Sequence, residues 1–284
     1  MDIRKIIIGY TAAILVTFSI FINQTLAQEG ITAEISALRS KQSSEDLAKQ
    51  LQNPVAALIS VPLQLNYDQN IGPEDDGYRW TLNIQPVIPI SLNSDWNLIS
   101  RTILPVIYQN DIFPGAGDQT GIGDVVQSLF LSPASPTAGW IWGVGPVFLL
   151  PTGSDRLLSA DKWGAGPTAV ALRQQGPWTY GALVNHIWSF AGDGDRPDVD
   201  TTFLQPFLSY TTSTAWTFTI ASESTYDWEN EDWSVPINFV VSKLVDISGQ
   251  KVSFAGGPRY WATTPDSGPE GLGFRFVVTL LFPK

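Results

Sequence analysis

The chain has 284 residues, 44% of them hydrophobic and 12% aromatic with 11 Trp, and its 16 Lys and Arg against 27 Asp and Glu give a formal net charge of −11. So acidic a surface cannot neutralise phosphates, which excludes nucleic acid as a partner. The absence of Cys excludes a disulfide framework, a thiol nucleophile and a thiolate metal site, and nothing in the sequence calls for a cofactor.

Asp2, Arg4 and Lys5 precede an apolar run from Ile6 to Ile22, and Thr25-Leu26-Ala27 puts small residues where a signal peptidase reads. Residues 1–27 are therefore expected to be a secretory signal, with a mature chain starting at Gln28. The run is about 17 residues, the lower limit for a spanning helix, so a retained anchor is the alternative. Residues 28–56 differ in pattern from the rest of the mature chain. Leu47, Ala48 and Leu51 recur at helical spacing, Glu45 and Asp46 lie near the start, and Asn53-Pro54 supplies the stop, which predicts a short amphipathic helix. That segment is either a periplasmic tail or a plug folded into the domain formed by residues 57–284.

From residue 57 to 284 the period changes to two. Trp80, Leu82, Ile84, Pro86, Ile88 and Ile90 share one parity, while Arg79, Thr81, Asn83 and Gln85 share the other, the signature of a strand with one apolar and one wet face. Strands are expected at 57–68, 79–91, 95–108, 122–132, 139–150, 163–174, 177–191, 201–211, 214–226, 233–243, 251–262 and 272–282. Ser91 to Asp95, Gln174 to Pro177, Thr211 to Thr214 and Leu244 to Gln250 are the tight connections. The longer ones carry Glu74-Asp75-Asp76, Asp111 to Asp118, Asp155 to Asp161 and Asp193 to Asp200. Short turns on one side and long loops on the other are the arrangement of outer-membrane barrels.

The aromatic residues decide between a soluble sandwich and a membrane barrel. In a sandwich they would fill the middle of strands. Here Trp96, Trp140, Trp142, Trp178 and Trp216 begin strands, and Tyr108, Trp188, Tyr226, Trp228 and Tyr260 end them, as two interfacial belts require. The expected fold class is all-β: a closed antiparallel transmembrane β-barrel of about 12 strands with a short N-terminal helix. Its surroundings would be outer-membrane lipid and lipopolysaccharide, and Phe282, followed by Pro283 and Lys284, is the kind of terminal aromatic that the barrel-assembly machinery reads.

Charges within strands take the wet parity. Arg79, Arg101, Glu223, Arg259 and Arg275 all lie opposite the apolar faces of their strands, joined by Asn83, Gln85, Asn97, Asn185, Gln205 and Asn238. Lumen-lining positions are therefore assigned to Arg79, Arg101, Asn185, Gln205, Glu223, Arg259 and Arg275. These groups either form a constriction that attracts carboxylate or phenolate solutes or a network that fills a narrow lumen and stiffens the barrel. Pro62, Pro86, Pro105, Pro146, Pro167, Pro206, Pro236 and Pro258 fall inside the same strands, and each removes a ladder donor. They imply local bulges, a gap through which an apolar solute leaves sideways, or misplaced strands.

The stretches Leu51-Gln52-Asn53-Pro54-Val55, Thr120-Gly121-Ile122-Gly123-Asp124, Gly143-Val144-Gly145-Pro146-Val147, Gly164-Ala165-Gly166-Pro167-Thr168-Ala169-Val170 and Ala182 to Gly192, with Leu204-Gln205-Pro206-Phe207 and Leu281-Phe282-Pro283-Lys284, resemble the outer-membrane family named for the meta pathway of phenol degradation. The resemblance implies a barrel that moves small, often aromatic or apolar, solutes across the outer membrane. No catalytic activity is expected. The sole His, His186, shares the parity of Trp188 and Phe190, while adjacent Ser189 points the other way. Asp193, Asp195, Asp198 and Asp200 lack the order of a calcium loop and read as a solvated loop, with divalent binding at the lipopolysaccharide surface as the alternative. The expected function is a channel or transporter for small solutes; the alternative is a non-transporting barrel with a structural or surface-binding role.

Overall fold

A computed structural model of the protein describes residues 44–282. The expected signal segment, its cleavage site after Ala27 and the stretch 28–43 lie outside the described residues, as do Pro283 and Lys284. The strand segments are β1 (Ile59–Ile71), β2 (Gly77–Ile84), β3 (Val87–Ser91), β4 (Trp96–Asn110), β5 (Asp118–Ile122), β6 (Val125–Pro133), β7 (Trp140–Leu150) and β8 (Lys162–Gln175). They continue as β9 (Trp178–Gly192), β10 (Asp200–Thr211), β11 (Trp216–Ser222), β12 (Ser224–Asp227), β13 (Asp232–Ile247), β14 (Gln250–Thr263) and β15 (Gly271–Phe282).

Segments β2 and β3, β5 and β6, and β11 and β12 each share both neighbours or lie end to end on one strand path, so the sheet is a closed antiparallel barrel of 12 strands. Closure is made by β15 against β1, in register from Ile59↔Phe282 to Tyr67↔Phe274. Every strand expected from alternation is present. The main differences are at ends: β5 starts at Asp118, and β13 runs on to Ile247. The last turn is therefore only Ser248-Gly249, both at positive φ (54° and 90°), the backbone that matches hairpin twist.

The two faces are inverted relative to a soluble protein. Phe218 is 41% exposed and Phe276 58% on the outside, whereas Gln109 is 0% and Asn238 1% exposed on the inside. Aromatic clusters ring both ends: Trp96 with Trp142, Trp140 with Tyr180 and Trp178 with Tyr210 at the turn end, and Tyr67 with Trp80 and Tyr226 with Trp228 at the loop end. An apolar band between aromatic girdles is the shape that a bilayer selects. Ile84→Arg, on the outer face between the two girdles and in register with Leu63 and Leu104, is accordingly expected to cost about 2–4 kcal/mol of insertion free energy, while Asn83→Arg on the inner face is tolerated. Folding yield into lipid vesicles measures this, and equal loss at both positions would contradict the assignment of faces.

Proline explains where the strands are interrupted. The backbone N–H of Gln85, between β2 and β3, donates to the Pro62 carbonyl (2.9 Å); that of Gly123, between β5 and β6, to Pro105 (2.9 Å); and that of Glu223, between β11 and β12, to Pro236 (3.4 Å). A proline accepts but cannot donate, so its neighbour loses one ladder bond and bulges. The bonds to the proline carbonyls carry the wall across each interruption. Three further prolines follow glycines, Gly145-Pro146, Gly166-Pro167 and Gly257-Pro258, and there the ladder skips: β6 and β7 are paired at Ser128↔Val147 and next at Leu131↔Val144. At each of these glycines a Cβ would overlap a carbonyl oxygen of the adjacent strand, of Leu129, His186 and Phe239 respectively.

The segment before β1 enters the barrel. A helix over residues 44–50, with an i,i+4 pair between Lys49 and Glu45 at 2.7 Å, leads to a turn in which Asn53 Oδ1 accepts from the Val55 N–H (3.0 Å). Ala48, Ala56 and Leu58 pack with Ala215, Leu244 and Leu281 at the turn end. Val55 reaches a second apolar cluster with Ile99, Phe130, Val170, Leu172 and Leu183. Its polar atoms are met by the wall: Gln52 Oε1 accepts from Ser209 (3.0 Å) and Thr219 (3.2 Å), and the Lys49 carbonyl accepts from Gln174 Nε2 (2.8 Å).

Candidate functional site

The inner face is built by register. Cross-strand neighbours Asn66↔Arg275, Asn238↔Arg259, Asp68↔Arg79 and Arg79↔Gln109 place polar side chains side by side on the lumen wall. Glu223 sits in the interruption between β11 and β12. Arg275 donates through Nη1 and Nη2 to the two carboxylate oxygens of Glu223 (2.7 and 2.6 Å) and through Nε to Asn66 Oδ1 (2.8 Å). This is the two-point geometry in which a guanidinium matches a carboxylate best. Arg259 donates through Nε to Asp68 Oδ1 (3.0 Å) and through Nη1 to Asn238 Oδ1 (3.3 Å) and Glu223 Oε2 (3.4 Å). Trp261 adds a bond from Nε1 to Asp68 (2.7 Å), and its ring lies 4.6 Å from the Arg259 guanidinium carbon.

Of the seven residues assigned to the lumen, the structure joins Glu223, Arg259 and Arg275 in this one network. Arg79 lies nearer the loop end, its Nε on Gln109 Oε1 (2.8 Å). Arg101 donates from Nη2 to Gln85 Oε1 (3.2 Å). Gln205 borders a cavity between the network and the N-terminal segment. Asn185 is paired in register with Thr168 and Phe203, on the opposite side of Gln205 from the network.

Three features were not read from the sequence. Asn66 and Asp68 carry the inner parity of β1, which runs on to Ile71. The loop 151–161 folds inward: Gln109 Nε2 donates to the Leu157 carbonyl (3.3 Å), and Leu158 and Ser159 are buried. It is held by Asp124, whose Oδ1 accepts from Ser159 Oγ (2.7 Å) and the Gly153 N–H (3.0 Å) and whose Oδ2 accepts from the Ala160 N–H (2.7 Å). Inward glycines at 121 and 123 make the room, since a Cβ at either would meet Leu158 or Ser154. The available signal was the pair of same-parity glycines, Gly121 and Gly123, followed by Asp124.

The cavity between the N-terminal segment and the arginine network has a volume of about 260 Å³. Gln50 to Pro54, Ala56 and Leu58 form one side, and from the wall Arg101, Glu223 and Arg275 contribute charged groups and Gln64, Gln85, Gln205 and Asn238 contribute amides.

His186 is on the outer wall, against the ring of Trp188 at 4.2 Å between centroids. Its Nδ1 lies 2.8 Å from Thr202 Oγ1 and its Nε2 3.0 Å from Asp200 Oδ1, while Trp228 Nε1 donates to the same Thr202 oxygen (2.9 Å). Ser189 Oγ donates instead to Asp198 (3.1 Å). The loop acids are divided among different partners: Asp193 faces Arg156 at 3.8 Å, Asp198 faces Lys162 at 3.0 Å, and Asp200 faces the His186 ring. Hydrogen bonds from Lys162 and Ser189 hold the Asp198 carboxyl below the usual range.

Neither a protein-family model nor a curated protein sequence matches the chain. Solved structures do share its architecture. An outer membrane channel from Pseudomonas putida F1 has TM-score 0.63 at 13% identity, with 80% of this chain and 96% of that one covered. A NanC porin has TM-score 0.50 at 10% identity, with 80% and 100% covered. At such identities the likeness is one of fold, and the chain has the fold of an outer-membrane β-barrel of 12 strands.

Proposed function

We propose that this protein is an outer-membrane channel for small solutes, reached after removal of an N-terminal signal and inserted among phospholipid and lipopolysaccharide. One observation carries the reading: an apolar, aromatic-girdled wall encloses a polar lumen with an arginine network and a cavity of about 260 Å³. Burying ions costs several kcal/mol each before pairing offsets it, and Arg101 borders the cavity with only an amide as its hydrogen-bond partner. The shared fold with a channel and a porin is consistent with this reading. So is the resemblance, carried by the glycine- and proline-containing stretches of the wall, to the phenol meta-pathway family.

The N-terminal segment is proposed to act as a plug and the loop 151–161 as a constriction at the other end. Full-length protein in planar bilayers should show small single-channel conductance, and deletion of residues 45–56 should raise it several-fold while the barrel still migrates faster unboiled than boiled. The alternative, a non-transporting barrel, is favoured by one observation: the Glu223 network and the N-terminal segment are both hydrogen-bonded within the lumen. Silence of both the full-length and the deleted protein would select that alternative.

A further inference from the structure

The four inward arginines are not equivalent. Arg259 and Arg275 are 7% and 6% exposed, each hydrogen-bonded to carboxylate. Arg79 stands in register with Asp68 and is turned to Gln109, away from the cavity. Arg101 is only half-buried, lines the cavity, and is bonded to the neutral Gln85; among the described residues no carboxylate oxygen lies within 4.0 Å of it. A guanidinium has five N–H donors in a fixed fork, and one bond to an amide leaves most of them for a ligand.

We propose that this cavity is a binding site for a monocarboxylate with a compact apolar body, its carboxylate held by Arg101, and that Arg101 is the residue that sets specificity. This rests on the channel reading for the solute's route but not for its binding. The charged groups lining the cavity are Arg101, Arg275 and Glu223. Arg275 and Glu223 are joined by two hydrogen bonds, so the charges of the lining leave an excess of one guanidinium, and Arg101, which has no hydrogen bond to a carboxylate, can give its free donors to a single carboxylate. Planar two-point pairing favours carboxylate over a halide or a neutral amide. The uncharged lining is mixed: amides such as Gln64 and Gln205 and hydroxyls such as Thr219 and Ser253 alternate with an apolar part made by Leu51 and Leu58 from the N-terminal segment and Val87, Phe207, Val240 and Ala255 from the wall, against which the body of the solute would rest. An apolar cavity of about 150 Å³ is enough to take benzene, and this one, at about 260 Å³, has room for a ring with its carboxylate. Because Leu51 and Leu58 belong to the segment that fills the turn end, the ligand would touch plug and wall at once.

The test is calorimetric titration of the full-length protein in detergent micelles with benzoate, cyclohexanecarboxylate and benzamide. Both acids should bind and the neutral benzamide should bind at least tenfold more weakly. Arg101→Gln should weaken benzoate at least tenfold and erase the preference over benzamide, whereas Lys243→Gln on the outer wall should change neither. Should Arg101→Gln fail to fold, judged by mobility of the unboiled protein, Ala221→Leu tests the same site by filling its apolar part and should weaken both acids. Absence of benzoate binding, equal binding of benzamide, or unchanged affinity in the variants overturns the proposal. Benzoate binding by a protein that never conducts would retain the site and reject the channel, and conduction without benzoate binding would do the reverse.

Discussion

Gly257→Ala is expected to prevent the barrel from closing stably, with a loss on the order of 3–5 kcal/mol, the range of severe backbone and core lesions. A Cβ at 257 would overlap the Phe239 carbonyl oxygen, with the carbonyl carbon of Phe239 at 3.0 Å and the Val240 Cα at 3.2 Å. These are backbone atoms of the neighbouring strand, which cannot rotate aside as a side chain would, and Pro258 fixes the next φ. The same steric reasoning applies to Gly145 against Leu129 and Gly166 against His186. Gly194, with open space around its Cβ position and no positive φ, is the control: Gly194→Ala should fold like the parent. The fraction of protein that keeps its compact mobility before boiling, followed through a urea series in micelles, reads the difference. Parent-like midpoints for Gly257→Ala would mean that the strands are farther apart at the Gly-Pro steps than the structure places them.

The second large effect is expected at Glu223. Replacing it with Gln keeps the volume but removes the charge that Arg275 grips at 2.7 and 2.6 Å and Arg259 approaches at 3.4 Å. Both guanidiniums are buried, and breaking a buried pair from one side costs about 3–5 kcal/mol, since the remaining charge is left without its partner. The urea midpoint of Glu223→Gln should therefore fall well below that of the parent. Whatever fraction inserts into bilayers should show stronger anion preference, because the variant removes one of the carboxylates, Asp68 and Glu223, that face the four inward arginines among the described residues. Reversal potentials should be taken at moderate ionic strength, as the Debye length is only about 3 Å at 1 M salt. An unchanged midpoint would mean that water, not Glu223, solvates the arginines.

Parity alone counts four inward arginines and one inward Glu within the strands. Alternation placed Arg79, Arg101, Arg259 and Arg275 on the inner face because side-chain direction along a strand is fixed locally, residue by residue. It could not say that Arg259 is spoken for by Asp68, 191 positions away, or that Arg275 is held by Asn66 across the closing seam between β1 and β15. Those partners are chosen by register and closure.

The proline problem resolves in the same way. Pro62, Pro105 and Pro236 looked incompatible with a closed ladder when read singly, since each lacks a donor. In the folded wall each carbonyl takes the backbone N–H at an interruption of the neighbouring strand, a pairing visible only once strands are aligned.

What the sequence determined by itself is the set of strands, which face of each meets lipid, and where the two aromatic belts lie. All three come from period-two chemistry and from the high cost of placing a charge in hydrocarbon. The content of the lumen follows from the folded wall instead: residues 45–58 packed inside the turn end, the loop 151–161 turned inward on Asp124, and Arg101 left facing a cavity while Arg259 and Arg275 are paired. Those outcomes depend on contacts between segments far apart in the chain, brought together when β15 pairs with β1, and no local periodicity encodes them.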